Sequence, residues 1–563
     1  MKIKKIIAIV LCFCITFCFA ACGNSNTGVS SESQSLSYEE RCDLLTSYAN
    51  EGESDKALLL YDELYAEAVD AFRYYNECDI EQQKDVTSSI AAEKQVAADL
   101  SFQTMKAQLC TAAAALANGK TAEAFKSHIG NDYIFNQYKE YTAYGDEFLE
   151  LREEEKTLIA EYLEILNRSG DYTFEHEGRT YTLDELYYLD ITDDEYNRYL
   201  EQCYGAINAD AGEIYIKLVK IRNRMAELAG YDSYAQYQDT AAYARDYSED
   251  SVKALKQAAK DVAAEMDFFY YYVFNSCYEE LDLDADELLD NVEDIFSEIS
   301  ELPLNAVRFM RENNYCSLDT DECRSTSAFA VDFAGDAPAY LFYTPCGSSV
   351  DYEYISHELG HYTAMINTIN PNPVILPGNY DLSEVHSTGL QILFSLKALP
   401  LYEEYGELAQ AADLTDLIMY VEDGCMIDDW ERLVYADPDI TLEKANQYYV
   451  DVLADYGIEE YTAMQYDWMW VNHVFEFPLY YLSYAVSGFS SLQIWSMAVC
   501  DFDAAVDVWE NFINSDIYTR GYCDVARECG LKLFDEEGVA QDIVYAAVDS
   551  LWDIAEENGL LDW

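Results

Sequence analysis

Residues 357–361 read His357-Glu358-Leu359-Gly360-His361, and they decide how the rest of the chain is read. The chain has only six histidines: His128, His176, His357, His361, His386 and His473. Positions four apart on a helix share a face, so His357 and His361 can reach one metal ion. Glu358 sits about 100° around the helix from His357, which places its carboxylate beside that ion and not on it. In 563 residues of this composition the pattern arises by chance on the order of one time in a hundred. Zinc suits such a site, because it lowers the pKa of a water towards about 7 and a neighbouring Glu can take the proton as the water attacks a carbonyl. Two His and a carboxylate also accept other divalent metals. The competing reading is two histidines packed on a core helix.

A catalytic zinc needs a third protein ligand and an open position. The stretch Asp381-Leu382-Ser383-Glu384-Val385-His386-Ser387 offers Glu384 and His386. A rigid loop carrying Pro371, Pro373 and Pro377-Gly378 lets a second helix return towards the first. His386 lies two positions beyond Glu384 and so points to nearly the opposite side of that helix. It reads as a core histidine or one that supports a ligand. With so many acids in the chain, spacing alone does not select Glu384.

Upstream of the motif, Thr326–Phe333 and Ala339–Tyr343 are two short runs of β-formers, read as a hairpin around Ala334–Pro338. Pro345 and Gly347 break the chain, and a helix is expected from about Asp351 to Asn367. The remainder reads as helix. All nine prolines lie at or after Pro303. Long helices are predicted over Asp55–Tyr75, Gln83–Asn118, Tyr138–Arg168 and Ser251–Cys277, with Ser54 and Asp250 as N-caps. A boundary near residue 300 divides an N-terminal helical region, 38–300, from the region carrying the motif, 301–563.

The chain opens with Met1-Lys2-Ile3-Lys4-Lys5 and an apolar run from Ile6 to Ala21. A short basic start before a short apolar run describes an export signal over 1–21. Phe19-Ala20-Ala21-Cys22 resembles a bacterial lipoprotein signal, which implies lipidation of Cys22. Residues 22–37 then read as an anchor and Ser-rich tether. An ordinary secretory signal with an incidental Cys is the alternative.

Charge excludes some functions. Lys+Arg number 34 against 106 Asp+Glu, a net of −72. Phosphate backbones and anionic lipid surfaces would be repelled, so nucleic acid is excluded and the membrane is reached through the lipid alone. Half the residues are hydrophobic, enough for a large core. The cysteines contain no CxxC pair and do not resemble a disulfide scaffold. Spacing permits Cys316–Cys323 and Cys523–Cys529 pairs without selecting them.

The segment Asp351–Leu393 resembles the oligoendopeptidase F and thimet oligopeptidase family of zinc peptidases. The family's HExGH is met by His357, Glu358, Gly360 and His361, and its Glu-x-x-Ser by Glu384 and Ser387. The resemblance implies one Zn2+ ion held by His357, His361 and Glu384, with Glu358 as general base. The family often has a Glu seven residues after the ligand Glu, where this chain has Gln391. A second similar stretch is His473-Val474-Phe475-Glu476-Phe477-Pro478-Leu479-Tyr480-Tyr481-Leu482-Ser483-Tyr484. It implies that His473 and Tyr484, with Tyr480 or Tyr481, donate to the developing oxyanion. The chain has 50 tyrosines, so such a stripe can also be packing, and the spacing does not choose which pair faces the metal.

The resemblance further implies a mainly α fold: a two-lobed helical shell around a deep substrate channel, with a small β element next to the zinc helix. The function expected from it is zinc-dependent cleavage of short peptides within the chain; the lipoprotein-like signal implies that this takes place at the cell surface. A lipoprotein that captures peptides without cutting them is one alternative. A carboxypeptidase, which would need a Lys or Arg for the terminal carboxylate, is another.

Overall fold

A computed structural model of the protein describes residues 36–141, 145–272, 283–321, 323–333, 338–402 and 406–557. The expected signal, Cys22, most of the tether, Cys277 and residues 334–337 of the hairpin lie outside them. The chain is mainly α-helical. Its longer helices are α1 Tyr38–Glu51, α2 Ser54–Lys84, α3 Ser89–Asn118, α4 Asp146–Asn167, α5 Asp193–Leu228, α6 Lys253–Tyr272, α7 Val350–Asn367, α8 Tyr380–Ala398, α9 Gly406–Ala436, α10 Tyr481–Cys500 and α11 Val539–Glu557. Among the described residues no helix is long and apolar enough to cross a membrane.

Several helix ends differ from the expected ones, for local reasons. No capping group interrupts the chain after Tyr75, so α2 continues to Lys84. The break comes at Asp85–Ser88. There Asp85 Oδ1 accepts from the Thr87 amide at 3.1 Å, and Ser88 Oγ accepts from the Ala91 amide at 3.2 Å, capping α3. Ser54 is the first residue of α2, not its cap. Asp250 stands three residues before α6 and pairs with the Lys253 ammonium at 2.5 Å. The expected Tyr138–Arg168 helix is two pieces, Asp132–Glu140 and α4, which begins after Gly145.

Two cores hold these helices. One is built by α1, α2, α3 and the short helices of residues 122–140, and includes Leu45, Leu64, Leu116 and Tyr138. Val374 and Leu376, from the proline loop between α7 and α8, are fully or almost fully buried in that same core. The larger core runs from Phe148 to Ala555 and crosses residue 300 without a gap. At its centre Arg222 of α5 is completely buried, and each of its three side-chain nitrogens has an acceptor. It donates to Glu155 at 2.6 Å, to the Tyr435 hydroxyl at 3.1 Å, and to the carbonyls of Val474 and Phe475. A buried guanidinium is tolerable only with such complete pairing. Here it fixes the short helix Asn472–Glu476, which carries His473.

The β content is small. Strands β1 Thr173–His176 and β2 Arg179–Thr182 form a hairpin that the sequence reading did not identify. The expected hairpin is present: β4 Ala328–Asp332 pairs antiparallel with β5 Ala339–Tyr343, Ala330 opposite Leu341. A third strand, β3 Cys316–Ser317, adds parallel to β5. β5 is therefore central and β4 is an edge, lying along α7. All cysteines among the described residues are free, including those of both permitted pairs.

Candidate metal centre

Helix α7 starts where the sheet ends. Asp351 in its first turn accepts from the amides of Cys346 and Gly347 at 2.8 Å and of Ser348 at 3.2 Å, and from the Tyr343 hydroxyl of β5. This carboxylate ties the breaking turn, the strand and the helix start together. The loop to α8 is built on asparagines. Asn370 Nδ2 donates to the Leu376 carbonyl at 3.1 Å, and Asn379 Oδ1 caps α8 by accepting from the Leu382 amide at 3.0 Å. The two helices then cross almost in contact. A Cβ placed on Gly360 would stand 2.4 Å from the His386 carbonyl oxygen and 2.6 Å from Ser387 Cα. Only glycine fits there.

That crossing brings three ligand atoms together. His357 Nε2 and His361 Nε2 lie 3.4 Å and 3.5 Å from Glu384 Oε2, and the three lie within 4.8 Å of one another. Each ligand is braced from behind. Ser387 Oγ donates to Glu384 Oε2 at 2.9 Å. The Tyr480 hydroxyl donates to the other oxygen, Oε1. His361 Nδ1 lies 3.2 Å from Ser383 Oγ. His357 Nδ1 lies 2.9 Å from Gln391 Oε1. The Gln391 amide nitrogen donates to Glu353 Oε1 at 2.8 Å, which turns the amide oxygen towards the imidazole. Nδ1 then carries the hydrogen, and Nε2 keeps its lone pair for a metal. Gln391 thus does for His357 what a carboxylate would do, without the charge.

This donor set fits zinc: two imidazoles and one carboxylate, converging from two rigid helices. Burial works against the charge on Glu384, but His361 and His357 outweigh it and hold the carboxyl well below its usual range. Glu358 is 6% exposed, and its Oε2 has no hydrogen-bond partner among the described residues. Burial pushes its carboxyl up, and the two histidines limit the rise. It is a buried carboxyl next in sequence to His357, with one oxygen free of hydrogen bonds among the described residues.

The aromatic stretch closes over the ligands. Tyr484 OH lies 3.3 Å from His473 Nε2. Burial drops His473 to about 4, so the ring is neutral at neutral pH. Burial and the nearby Glu384 raise Tyr484 well above the usual phenol range, so it keeps its proton. Tyr481 packs edge-on against both, ring centroids 5.4 Å apart. Tyr480 bonds to Glu384 and Tyr484 faces His473, so the two tyrosines differ in their partners. His386 turns away from the ligands. It is 1% exposed, its Nε2 lies 3.1 Å from the Phe512 carbonyl, and burial lowers it to about 3.

Sequence reasoning missed Ser383, Tyr420 and a row of carboxyls on α9. Tyr420 stacks on Tyr484 with centroids 5.8 Å apart and lies 6.5 Å from the His357 ring. Asp416 and Asp423 flank it, and Asp416 Oδ2 accepts from Gln391 Nε2 at 3.3 Å. The i, i+4, i+7 spacing of 416, 420 and 423 was a readable signal. Burial, then the neighbouring Asp416, pushes Asp423 up to about 7. Burial and Asp416 also lift Asp413 to about 7, against the Ser395 hydrogen bond. Glu476 rises to about 7 by burial, although Lys156 opposes it.

No family model matches the chain, and no curated protein does. Solved structures do. PZ peptidase A in an inhibitor complex aligns with a TM-score of 0.78 at 17% identity, covering 94% of this chain and 98% of that one. The chain has the oligoendopeptidase F fold. An Enterococcus faecium oligoendopeptidase F aligns at 0.55 and 13% identity over 95% of this chain and all of that one. A Bacillus anthracis Ames protein described as a candidate oligoendopeptidase F aligns at 0.74 and 16%, covering 94% and 98%. Each alignment runs through both cores, so the shared oligoendopeptidase F architecture includes the helices before residue 300 as well as the motif region.

Two predictions follow from this geometry. Gln391→Ala should weaken zinc binding about 10–100-fold, and Gln391→Glu should keep it, as read by chelator competition. Equal affinity of the Ala variant and the parent would remove the brace. The raised carboxyls Asp413, Asp423 and Glu476 hold protons in the folded state up to about pH 7, whereas in an unfolded chain they ionise near pH 4. Their contribution is complete below about pH 4 and is lost as pH rises through about 7. The metal-free protein should therefore melt at a higher temperature at pH 5.5 than at pH 8, and Asp423→Asn should shrink the difference. A melting temperature that is flat or rises between these pH values contradicts this.

Proposed function

We propose that the protein is a zinc-dependent endopeptidase acting on short peptides. The observation that carries the reading is the convergence of His357, His361 and Glu384 within 4.8 Å, next to a buried Glu358 oxygen with no partner. The oligoendopeptidase F fold supports it. Held by those three residues, a zinc ion supplies a Lewis acid. Glu358 takes the proton of the water that attacks the peptide carbonyl and passes it to the departing amine. Tyr484 keeps its phenol proton and aims it, steadied by neutral His473, at the carbonyl oxygen as charge builds there. Tyr480 does not take part in this donation; it holds Glu384. The edge strand β4 lies beside α7 and offers backbone groups along which an extended peptide can pair.

A protein that only captures peptides has no use for a buried, unpartnered carboxylate beside its metal ligands. We place the protein outside the cell, tethered to the outer face of the cytoplasmic membrane through lipid on Cys22. The leader and the Cys22 motif support this.

Incubation of the purified protein from Gly23 onward with a mixed library of short peptides tests the chemistry. Internal cleavage should be lost with a chelator and should fall at least about a thousandfold in Glu358→Gln. Stepwise loss from C-termini would replace the endopeptidase reading with a carboxypeptidase. No cleavage by the zinc-loaded protein would favour capture alone. In cells, Cys22→Ser should move the protein from the membrane fraction to a soluble one; an unchanged distribution rejects the lipid anchor.

A further inference from the structure

The turn before α10 is held in an unusual shape. Leu479 has φ +62°, the left-handed region that a branched side chain avoids. Its side chain is fully buried, so nothing about solvent exposure explains the conformation. The main chain around it is gripped on every side. The Leu479 amide donates to Glu431 Oε2 at 2.8 Å. The Leu479 carbonyl accepts from Arg245 Nη2 at 2.9 Å. The Pro478 carbonyl accepts from the Tyr243 hydroxyl at 2.8 Å and from Gln238 Nε2 at 3.1 Å. Arg245 also reaches Ser483 Oγ, one turn into α10, at 3.1 Å. A strained residue persists only where its surroundings over-determine it, and such residues gather at functional sites.

The product of that strain is the direction of the next residue. Tyr480 leaves the turn with its hydroxyl on Glu384 Oε1, while Oε2 faces both imidazoles. A donor on Oε1 keeps the carboxylate from rotating and leaves one oxygen for the metal. Glu431 sits on α9, is 1% exposed, and makes no hydrogen bond or ion pair with His357, His361 or Glu384 among the described residues. Its partner in this arrangement is the backbone of Leu479.

We propose that Glu431 is a positioning residue for the metal centre: by holding the Leu479 amide it fixes the left-handed turn that aims Tyr480 at Glu384. Arg245, Tyr243 and Gln238 hold the carbonyl side of the same turn. This rests on the reading of His357, His361 and Glu384 as zinc ligands, but not on the activity.

Zinc affinity, measured on the full mature protein by chelator competition, tests it. Tyr480→Phe and Glu431→Leu should each weaken zinc about tenfold or more. Glu431→Gln keeps an acceptor for the Leu479 amide and should stay within about threefold of the parent. Because Glu431 acts through Tyr480, the double variant should be no weaker than the weaker single, within about twofold. A product of the two losses, about a hundredfold, overturns the proposal, as does an unchanged affinity in Glu431→Leu. Helical circular dichroism checks that the variants fold. If Glu431→Leu does not, Tyr243→Phe removes one bond from Pro478, and its effect on zinc should likewise vanish when Tyr480 is already Phe; persistence of the full effect counts against it. A parent protein that binds no zinc fails the ligand reading and this proposal together, whereas zinc binding with additive losses fails this proposal alone.

Discussion

Everything at the metal centre depends on how closely α7 and α8 approach. His357 and His361 come from one helix and Glu384 from the other, so the ligand atoms converge only if the two backbones nearly touch. Gly360 makes that possible, with the His386 carbonyl 2.4 Å from where a Cβ would be. Glycine recurs at the neighbouring crossings. Gly389 faces Trp509, and Gly424 of α9 faces the Tyr481 carbonyl and the Ala485 amide of α10. The helices that carry the ligands, the carboxyl row and the tyrosines are all drawn in by missing side chains. Close packing of this kind resists small displacements, which suits a site whose atoms must hold position to a few tenths of an ångström.

Burial then sets the chemistry of each group. In water the acids of such a chain would all be ionised. Around the ligands burial, helped by the carboxyl of Asp416, pushes Glu353, Asp413 and Asp423 up, the last two to about 7. His473 is neutral for the same reason. Glu384 is the exception, because two imidazoles face it. Hydrogen bonds through neutral donors such as Tyr484 are strong in so buried a setting.

Much of this was legible in the sequence. His357, Glu358 and His361 announce themselves by spacing, because helical geometry is local. The hairpin of Ala328–Asp332 and Ala339–Tyr343 is legible because alternation and turn residues are local too. What was not legible depends on distant chain. The split roles of Tyr480 and Tyr484 follow from Leu479's left-handed backbone, which is imposed by Glu431 and Arg245, 48 and 234 positions away. Gln391 read as a departure with an open consequence, and Glu353 decides it by orienting the amide. Strand β3 was missed because two residues carry no periodicity. The end of α2 was misplaced because Asp85 and Ser88 stop it, and neither is a proline or glycine.

The loop between the ligand helices has a further consequence. Val374 and Leu376 are part of the core formed by α1, α2 and α3, and Asn372 Nδ2 donates to Tyr138 there at 2.9 Å. The loop that links His361 to Glu384 is thus anchored in that core. The two cores do not meet merely as neighbouring surfaces. The connector itself is part of the α1–α3 core, so whatever displaces that core would strain the link between the two ligand-bearing helices.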